Sequence, residues 1–109
     1  MLALSPTYTI SAGDIELVAI DYTDHLDATE TLMGTPTVAL VGTGTLVIAS
    51  VALNSTVKTI LDRAVAVNCA VTFKISGQTA GVTYTIRVTV STTSSPARTI
   101  VRDVCVRTN

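Results

Sequence analysis

The chain has 109 residues, of which 48% are apolar and only 4% aromatic, enough for one domain with a buried core. Its formal net charge of −1 gives no ground for a nucleic-acid partner, and no apolar run is long enough to span a bilayer. Twenty threonines, many alternating with Val and Ile, place the chain in the all-β class, because β-branched side chains are restricted in helices and pack well on a pleated surface.

Residues 1–13 read as an apolar, Thr-rich arm interrupted by Pro6 and closed by the turn-like Ser11-Ala12-Gly13-Asp14. Its apolar side chains, Leu2, Leu4, Tyr8 and Ile10, either add an edge strand or contact a neighbour, and they are candidates for an interface. The chain is thus divided into an arm, residues 1–14, and a sandwich, residues 15–109. The opening M-L-A-L-S-P lacks the basic start and long apolar run of a secretory signal, so folding in a reducing cytoplasm with free Cys69 and Cys105 is expected. Cys69 shares its parity with Val71, Phe73 and Ile75 and is expected in the core. A bridge to Cys105 stays open, since spacing alone does not place two Cα atoms within reach.

Residues 15–22 read as a strand with Ile15, Leu17 and Ala19 on one face and Glu16, Val18 and Ile20 on the other, so burial on both sides is expected. Residues 21–30 are the most polar stretch, in which Asp24 is expected to cap one helical turn. Residues 35–41 read as a strand begun through Pro36, and Gly42-Thr43-Gly44 as a tight hairpin into residues 45–48. Two further strands, residues 51–54 and 57–61, are separated by the turn-forming Asn54-Ser55. Residues 57–70 have some helical content, but their density of β-branched side chains favours strand.

The rest of the chain is organised around residues 74–90. Phe73 and Ile75 share one face of a first strand, and Tyr84, Ile86, Val88 and Val90 share one face of a second, leaving Thr83, Thr85, Arg87 and Thr89 on the opposite side. Ser76-Gly77 and Ala80-Gly81 bracket the connection. Tyr84, shortly after Gly81, is placed as in the tyrosine corner of immunoglobulin-like sheets, where the hydroxyl bonds back to nearby backbone. Residues 91–97 are a loop by composition. The final strand, residues 98–108, carries Ile100, Val104 and Val106 on one face and Val101 and Cys105 on the other. Altogether about seven or eight strands at regular spacing suit an immunoglobulin-like Greek-key sandwich.

Charge is unevenly distributed. Residues 1–57 hold six acids and no Lys or Arg, whereas residues 58–109 hold seven bases and two acids, so the halves carry −6 and +5. Either the halves are neighbours in one sandwich and offset each other, or copies or unlike subunits meet with the acidic surface of one against the basic surface of the next.

No residue pattern points to catalysis. Asp21, Asp24 and Asp27 with His25 form a cluster with cation-ligand chemistry, but it lacks the Gly and terminal Glu of a calcium loop, and a solvated acidic loop is expected instead of a metal site. His25 is the sole histidine and has no strained nucleophile elbow or Gly-rich oxyanion loop to serve. The cysteines lack zinc-ligand spacing, and no cofactor is implied. Arg98, Arg102 and Arg107 form a modest basic strip without interleaved aromatics, which disfavours nucleic acid and makes them interface candidates. A freestanding module that binds a carbohydrate or cell-surface ligand through its loops is a further alternative, but a chain without Trp, and with Tyr84 committed to the corner, is poorly suited to stacking sugars. Strands with apolar residues on both faces point to an assembly subunit.

Five segments also carry a resemblance: D-Y-T-D-H-L at residues 21–26, E-T-L at 30–32, V-A-L-N-S at 51–55, S-G-Q-T-A-G-V-T-Y-T-I at 76–86 and R-T-I-V-R-D-V at 98–104. In order and spacing the chain after Asp14 resembles a family of small tailed-bacteriophage proteins, the fiber-tail adaptors. The resemblance implies an immunoglobulin-like virion component near the neck or tail, made in the host cytoplasm and present in several copies. Such a subunit is homo-oligomeric or ring-arranged, links fibers to other virion proteins, and has no catalytic residues, small-molecule substrate, nucleic-acid partner or membrane. His25 stands where relatives often hold an aromatic, and residues 1–13 lie outside the shared motifs. Both departures keep a head-decoration role on the capsid beside the adaptor role.

Overall fold

Alternating β-branched residues demand a strand with one buried face, and two such faces must cover each other. The computed structural model of the protein describes residues 7–60, 62–94 and 96–109, the side chains of residues 7 and 8 excepted. Among them are nine strands and no α-helix: β1 (Thr7–Ile10), β2 (Glu16–Asp21), β3 (Leu32–Leu40), β4 (Val47–Leu53), β5 (Lys58–Ile60), β6 (Arg63–Val65), β7 (Ala70–Ser76), β8 (Thr83–Thr92) and β9 (Thr99–Thr108). A four-stranded sheet in the order β1-β9-β8-β3 packs on a three-stranded sheet in the order β2-β7-β4, and β5 and β6 form a separate ribbon. This is an all-β sandwich, and its crossings between sheets are those of an immunoglobulin-like Greek key. The strand count exceeds the expectation because residues 57–70 supply a hairpin of their own.

The core lies between the two sheets. Val18, Ile20 and Tyr22 from β2 and its exit, Val71, Phe73 and Ile75 from β7, Ile86 and Val88 from β8, and Val104 and Val106 from β9 are all at most 3% exposed. The alternation read at residues 83–90 is observed: Tyr84, Ile86, Val88 and Val90 are buried, while Thr83 and Arg87 are exposed. Cys69 is buried as expected, but in a satellite cluster with Val65 and Ala70 instead of between the sheets. Cys69 and Cys105 are both free thiols.

Three local expectations are corrected. Gly42-Thr43-Gly44 does not close a hairpin, because β3 pairs with β8 and β4 pairs with β7, so this loop crosses from one sheet to the other. The connection from β7 to β8 crosses in the same way. Alternation fixes which face of a strand is buried but not which strand lies beside it. The crossings are held by contact between the two loops. An added Cβ at Gly44 would stand 3.1 Å from the Tyr84 ring, and one at Gly77, whose φ is +74°, would stand 2.7 Å from the Thr45 carbonyl oxygen.

Secondly, β2 is buried on one face only. Ile15 is 74% and Leu17 is 54% exposed, because β2 lies at a sheet edge and no strand among the described residues covers its outer face there. Thirdly, Asp24 does not cap the short 3-10 turn η1 (Thr23–His25), whose N-cap residue is Tyr22. Asp21 serves the turn instead, accepting from the Thr23 N–H at 2.9 Å and from the Thr23 hydroxyl.

The charge asymmetry is largely resolved within the chain. Because β1 pairs with β9, β2 with β7 and β3 with β8, acidic and basic halves interleave. Arg63 reaches Asp24 at 3.0 Å and Asp21 at 3.7 Å, and Arg98 pairs with Glu30.

Candidate functional site

The candidate site residues fall at two places. The first is the turn before β8. Gly81 has φ +79°, with nothing near its missing Cβ, and the Thr79 N–H donates to the Tyr84 hydroxyl at 2.8 Å, tying the strand to backbone five residues upstream. Hydrogen bonding with the Thr79 and Thr45 side chains, and then with the Thr79 N–H, lowers the phenol below its ordinary value. Tyr84 is only 5% exposed, so the residue acts by holding the crossover. Tyr84→Phe keeps the ring and removes one hydrogen bond, and a fall in Tm of roughly 5 °C is expected. An unchanged melting curve would show that the hydroxyl does not hold this end of the sandwich.

The second place is the other end, where β2 runs out into η1 beside β9. Tyr22 is fully buried there, and burial pushes its phenol up to about 12. His25 stands edge-on to it at 6.2 Å between ring centroids. Arg102 reaches in from β9, with its Nη1 against His25 Nε2 and its guanidinium 5.9 Å from the Tyr22 ring centroid. Burial first and the Arg102 charge second hold His25 below its ordinary value, so the imidazole is neutral at neutral pH and Nε2 can accept from the guanidinium. His25 therefore does two things: its ring stands edge-on to Tyr22, and its Nε2 anchors the Arg102 cation.

Behind this pair, Glu30 is buried and accepts from both Nε and Nη2 of Arg98, while the Asp27 N–H donates to it at 3.1 Å. Arg98 Nη2 also donates to the His25 carbonyl at 2.7 Å. Arg98 thus locks the 22–30 loop onto the start of β9. Arg102 behaves differently, having no carboxylate partner among the described residues. Arg107 is exposed, on the opposite face of β9 from Arg98 and Arg102, so the three arginines do not form one strip. Of the arm residues, Ile10 is 7% exposed and belongs to the core, which removes it from any surface. Leu2, Leu4 and the Tyr8 side chain lie outside the described residues.

A groove of about 560 Å³ runs past Arg102. It is lined by His25, Ile100 and Arg102 from the inner side of β9 and by Val101, Asp103 and Arg87 from the outer side. Arg87 is engaged with Asp103 through two bonds of 2.9 and 3.2 Å. Among the described residues no group of three or more His, Cys, Asp or Glu side chains is disposed to hold a metal ion. Asp21, Asp24 and Asp27 do not converge, since the first two face Arg63.

Sequence reasoning missed Asn54, which is 2% exposed. Its Nδ2 donates to Thr56 O at 3.0 Å and Ala66 O at 2.7 Å, and its Oδ1 accepts from Cys69 N–H at 3.1 Å and Ala70 N–H at 2.9 Å. Gln78 was missed as well, although its Nε2 donates to Ser11 O and Asp14 O, both at 2.8 Å. An Asn or Gln read as a turn residue gives no sign of partners twelve or more positions away.

No protein-family model matches the chain, and no curated protein matches it significantly. Among solved structures it is similar to a nucleoside hydrolase-related hypothetical protein from Saccharophagus degradans that is associated with carbohydrate metabolism, with a TM-score of 0.55 and 15% identity. The match covers 96% of this chain and 22% of that one, so this chain spans about a fifth of that protein's length. At that identity the likeness is one of fold.

Proposed function

We propose that the chain is a non-enzymatic structural protein of a tailed-bacteriophage virion, an adaptor at the neck or tail that joins fibers or neighbouring subunits to the particle. The observation that carries this reading is the outer face of the three-stranded sheet. Its register sets Leu17 and Ala49 on either side of Lys74, and Ala19 and Ala52 on either side of Thr72. Ile15 and Val47, at 74% and 54% exposure, extend the same surface. A face of aliphatic and small side chains, with Lys74 within it and Asp21 at its end, suits burial against protein. The order of motifs through residues 21–104 supports the virion assignment. The arginines favour the same reading, since Arg63, Arg87 and Arg98 are spent on ion pairs within the chain.

A sandwich occupying a fifth of a longer protein associated with carbohydrate metabolism raises a sugar-binding module as a competitor. Sugar platforms are exposed aromatic rings, whereas the Tyr and Phe rings among the described side chains, Tyr22, Phe73 and Tyr84, are at most 5% exposed. The deciding measurement is the copy number of this chain per purified particle, by quantitative mass spectrometry against the major capsid protein. About six or twelve copies, the count of a ring at a unique vertex, is the expected result. Copies in the hundreds would make the chain a decoration protein on the capsid lattice. Its absence from particles would sink both virion readings.

A further inference from the structure

We propose that His25 is a pH-operated latch: the neutral imidazole seats the Arg102 side chain against Tyr22, and protonation of the ring releases that arginine. The latch is internal to the fold and does not depend on the virion reading.

The seat is assembled from separate elements. Tyr22, at the exit of β2, is fully buried, His25 closes η1, and Arg102 stands in β9. Among the described residues the guanidinium has two contacts, Nη1 against His25 Nε2 and the Tyr22 ring with its centroid 5.9 Å away. Neither partner is charged at neutral pH. All eight acidic residues of the chain are described, and no ion pair joins any of them to Arg102. A guanidinium only donates, so His25 Nε2 is the unprotonated nitrogen, Nδ1 carries the hydrogen, and one lone pair is the acceptor that holds Arg102.

Protonation fills that lone pair and sets imidazolium against guanidinium, so the contact cannot persist. The other charges around the ring do not offset this. Asp24 and Asp21 favour the charged ring, but both face Arg63, at 3.0 and 3.7 Å. Arg98 disfavours it, and its own charge is matched by Glu30, with Asp27 nearby. Arg102 is thus the unmatched charge. Which group yields depends on how each is held. The His25 N–H donates to Tyr22 O at 2.8 Å and its carbonyl accepts from Arg98 at 2.7 Å, whereas Arg102 is half-buried on a flexible side chain. The arginine swings away and the turn stays. Burial and the Arg102 charge hold the ring below its ordinary value of 6.5, so the stability contributed by the neutral ring is complete above that pH and is lost as pH falls from 6.5 toward the folded-state value. This loss begins at higher pH than the loss through Glu30, which starts near 4.5, so Arg102 is released before the 22–30 loop.

The test uses the full chain, whose sole histidine is His25, so that every imidazole signal belongs to it. Nitrogen-15 NMR is expected to show the Nδ1–H tautomer at neutral pH, an imidazole midpoint below 6.5, and an Arg102 Nε–H resonance that moves along the same titration curve. The urea midpoint of wild type should fall from about pH 7 to about pH 5. His25→Gln keeps an acceptor on a side chain that does not titrate, so over that range its Arg102 resonance and its urea midpoint should both stay level. Arg102→Leu removes the cation and should bring the imidazole midpoint part of the way back up toward the ordinary value, since burial remains. Should Arg102→Leu disturb the fold, His25→Gln keeps the test valid. An Nε2–H tautomer, an imidazole midpoint at or above 6.5, an Arg102 resonance that ignores the titration, or an equal decline of the urea midpoint in His25→Gln would each overturn the proposal.

Discussion

Asn54→Ala is expected to be among the most damaging single substitutions in the fold, destabilising it by about 3–5 kcal/mol, which for a domain of this size lowers Tm by roughly 15–25 °C. The side chain is 2% exposed and makes four hydrogen bonds to main chain. Two of its partners, Thr56 and Ala66, flank the β5–β6 hairpin, and the other two, Cys69 and Ala70, lead into β7. One amide therefore joins the end of β4, the hairpin and the central strand of the three-stranded sheet. Removing it leaves buried donors and acceptors unpaired, and each of these costs more than the hydrogen bond contributed. Asn54→Asp isolates the donor half, because a carboxylate can still accept from Cys69 and Ala70 but repels the carbonyls of Thr56 and Ala66. It should lie between wild type and Asn54→Ala in a urea titration. A loss below about 1 kcal/mol for Asn54→Ala would mean that this end of the sheet closes without the amide.

The contrast between Asn54 and the 83–90 strand shows where the sequence was legible. Residues 83–90 announce themselves because burial of alternate side chains is a local property, set by the pleat and visible as Tyr84, Ile86, Val88 and Val90 against Thr83 and Arg87. The all-β class follows from the same arithmetic. Pairing is non-local, and hence Gly42-Thr43-Gly44 looks like a hairpin although it crosses between sheets. The outer face of β2 misleads for a related reason: Ile15 and Leu17 are as apolar as Val18 and Ile20, and what distinguishes them is that the second sheet packs on Val18 and Ile20. At the candidate site, Arg98 and Arg102 were legible as cations of a strip that also took in Arg107, which the fold places on the other face of β9. Their different fates were not, because they depend on Glu30 and His25, sixty-eight and seventy-seven positions away respectively.

Acid is expected to unlock the 22–30 loop before it unfolds the sandwich, through Glu30. The Arg98 guanidinium, which donates to both carboxylate oxygens, is the main cause holding Glu30 far below its ordinary value of 4.5. Thr92, Ser94 and the Asp27 amide act in the same direction, while burial opposes them. A carboxyl whose folded-state value is depressed contributes stability that is fully present above the unfolded value and is lost as pH falls from there toward the folded value. The contribution of Glu30 is thus complete at pH 6 to 7 and declines progressively below the ordinary range near 4.5. Glu30→Gln cannot titrate, so it should be less stable than wild type at neutral pH yet lose less stability on acidification, and the two curves of urea midpoint against pH should converge toward pH 3. Asp103, lowered by Arg87 in the same way, titrates in both proteins and cancels from the comparison. Because Arg98 also holds the His25 carbonyl, protonation of Glu30 should loosen the loop that presents His25 to Arg102. Protection from hydrogen exchange at residues 23–30, taken against the intrinsic amide rate at the same pH, should then fall on acidification in wild type, whereas in Glu30→Gln it should be low already at neutral pH. Parallel stability curves for the two proteins would show that the ion pair contributes no pH-dependent stability, and that the geometry around Arg102 does not depend on it.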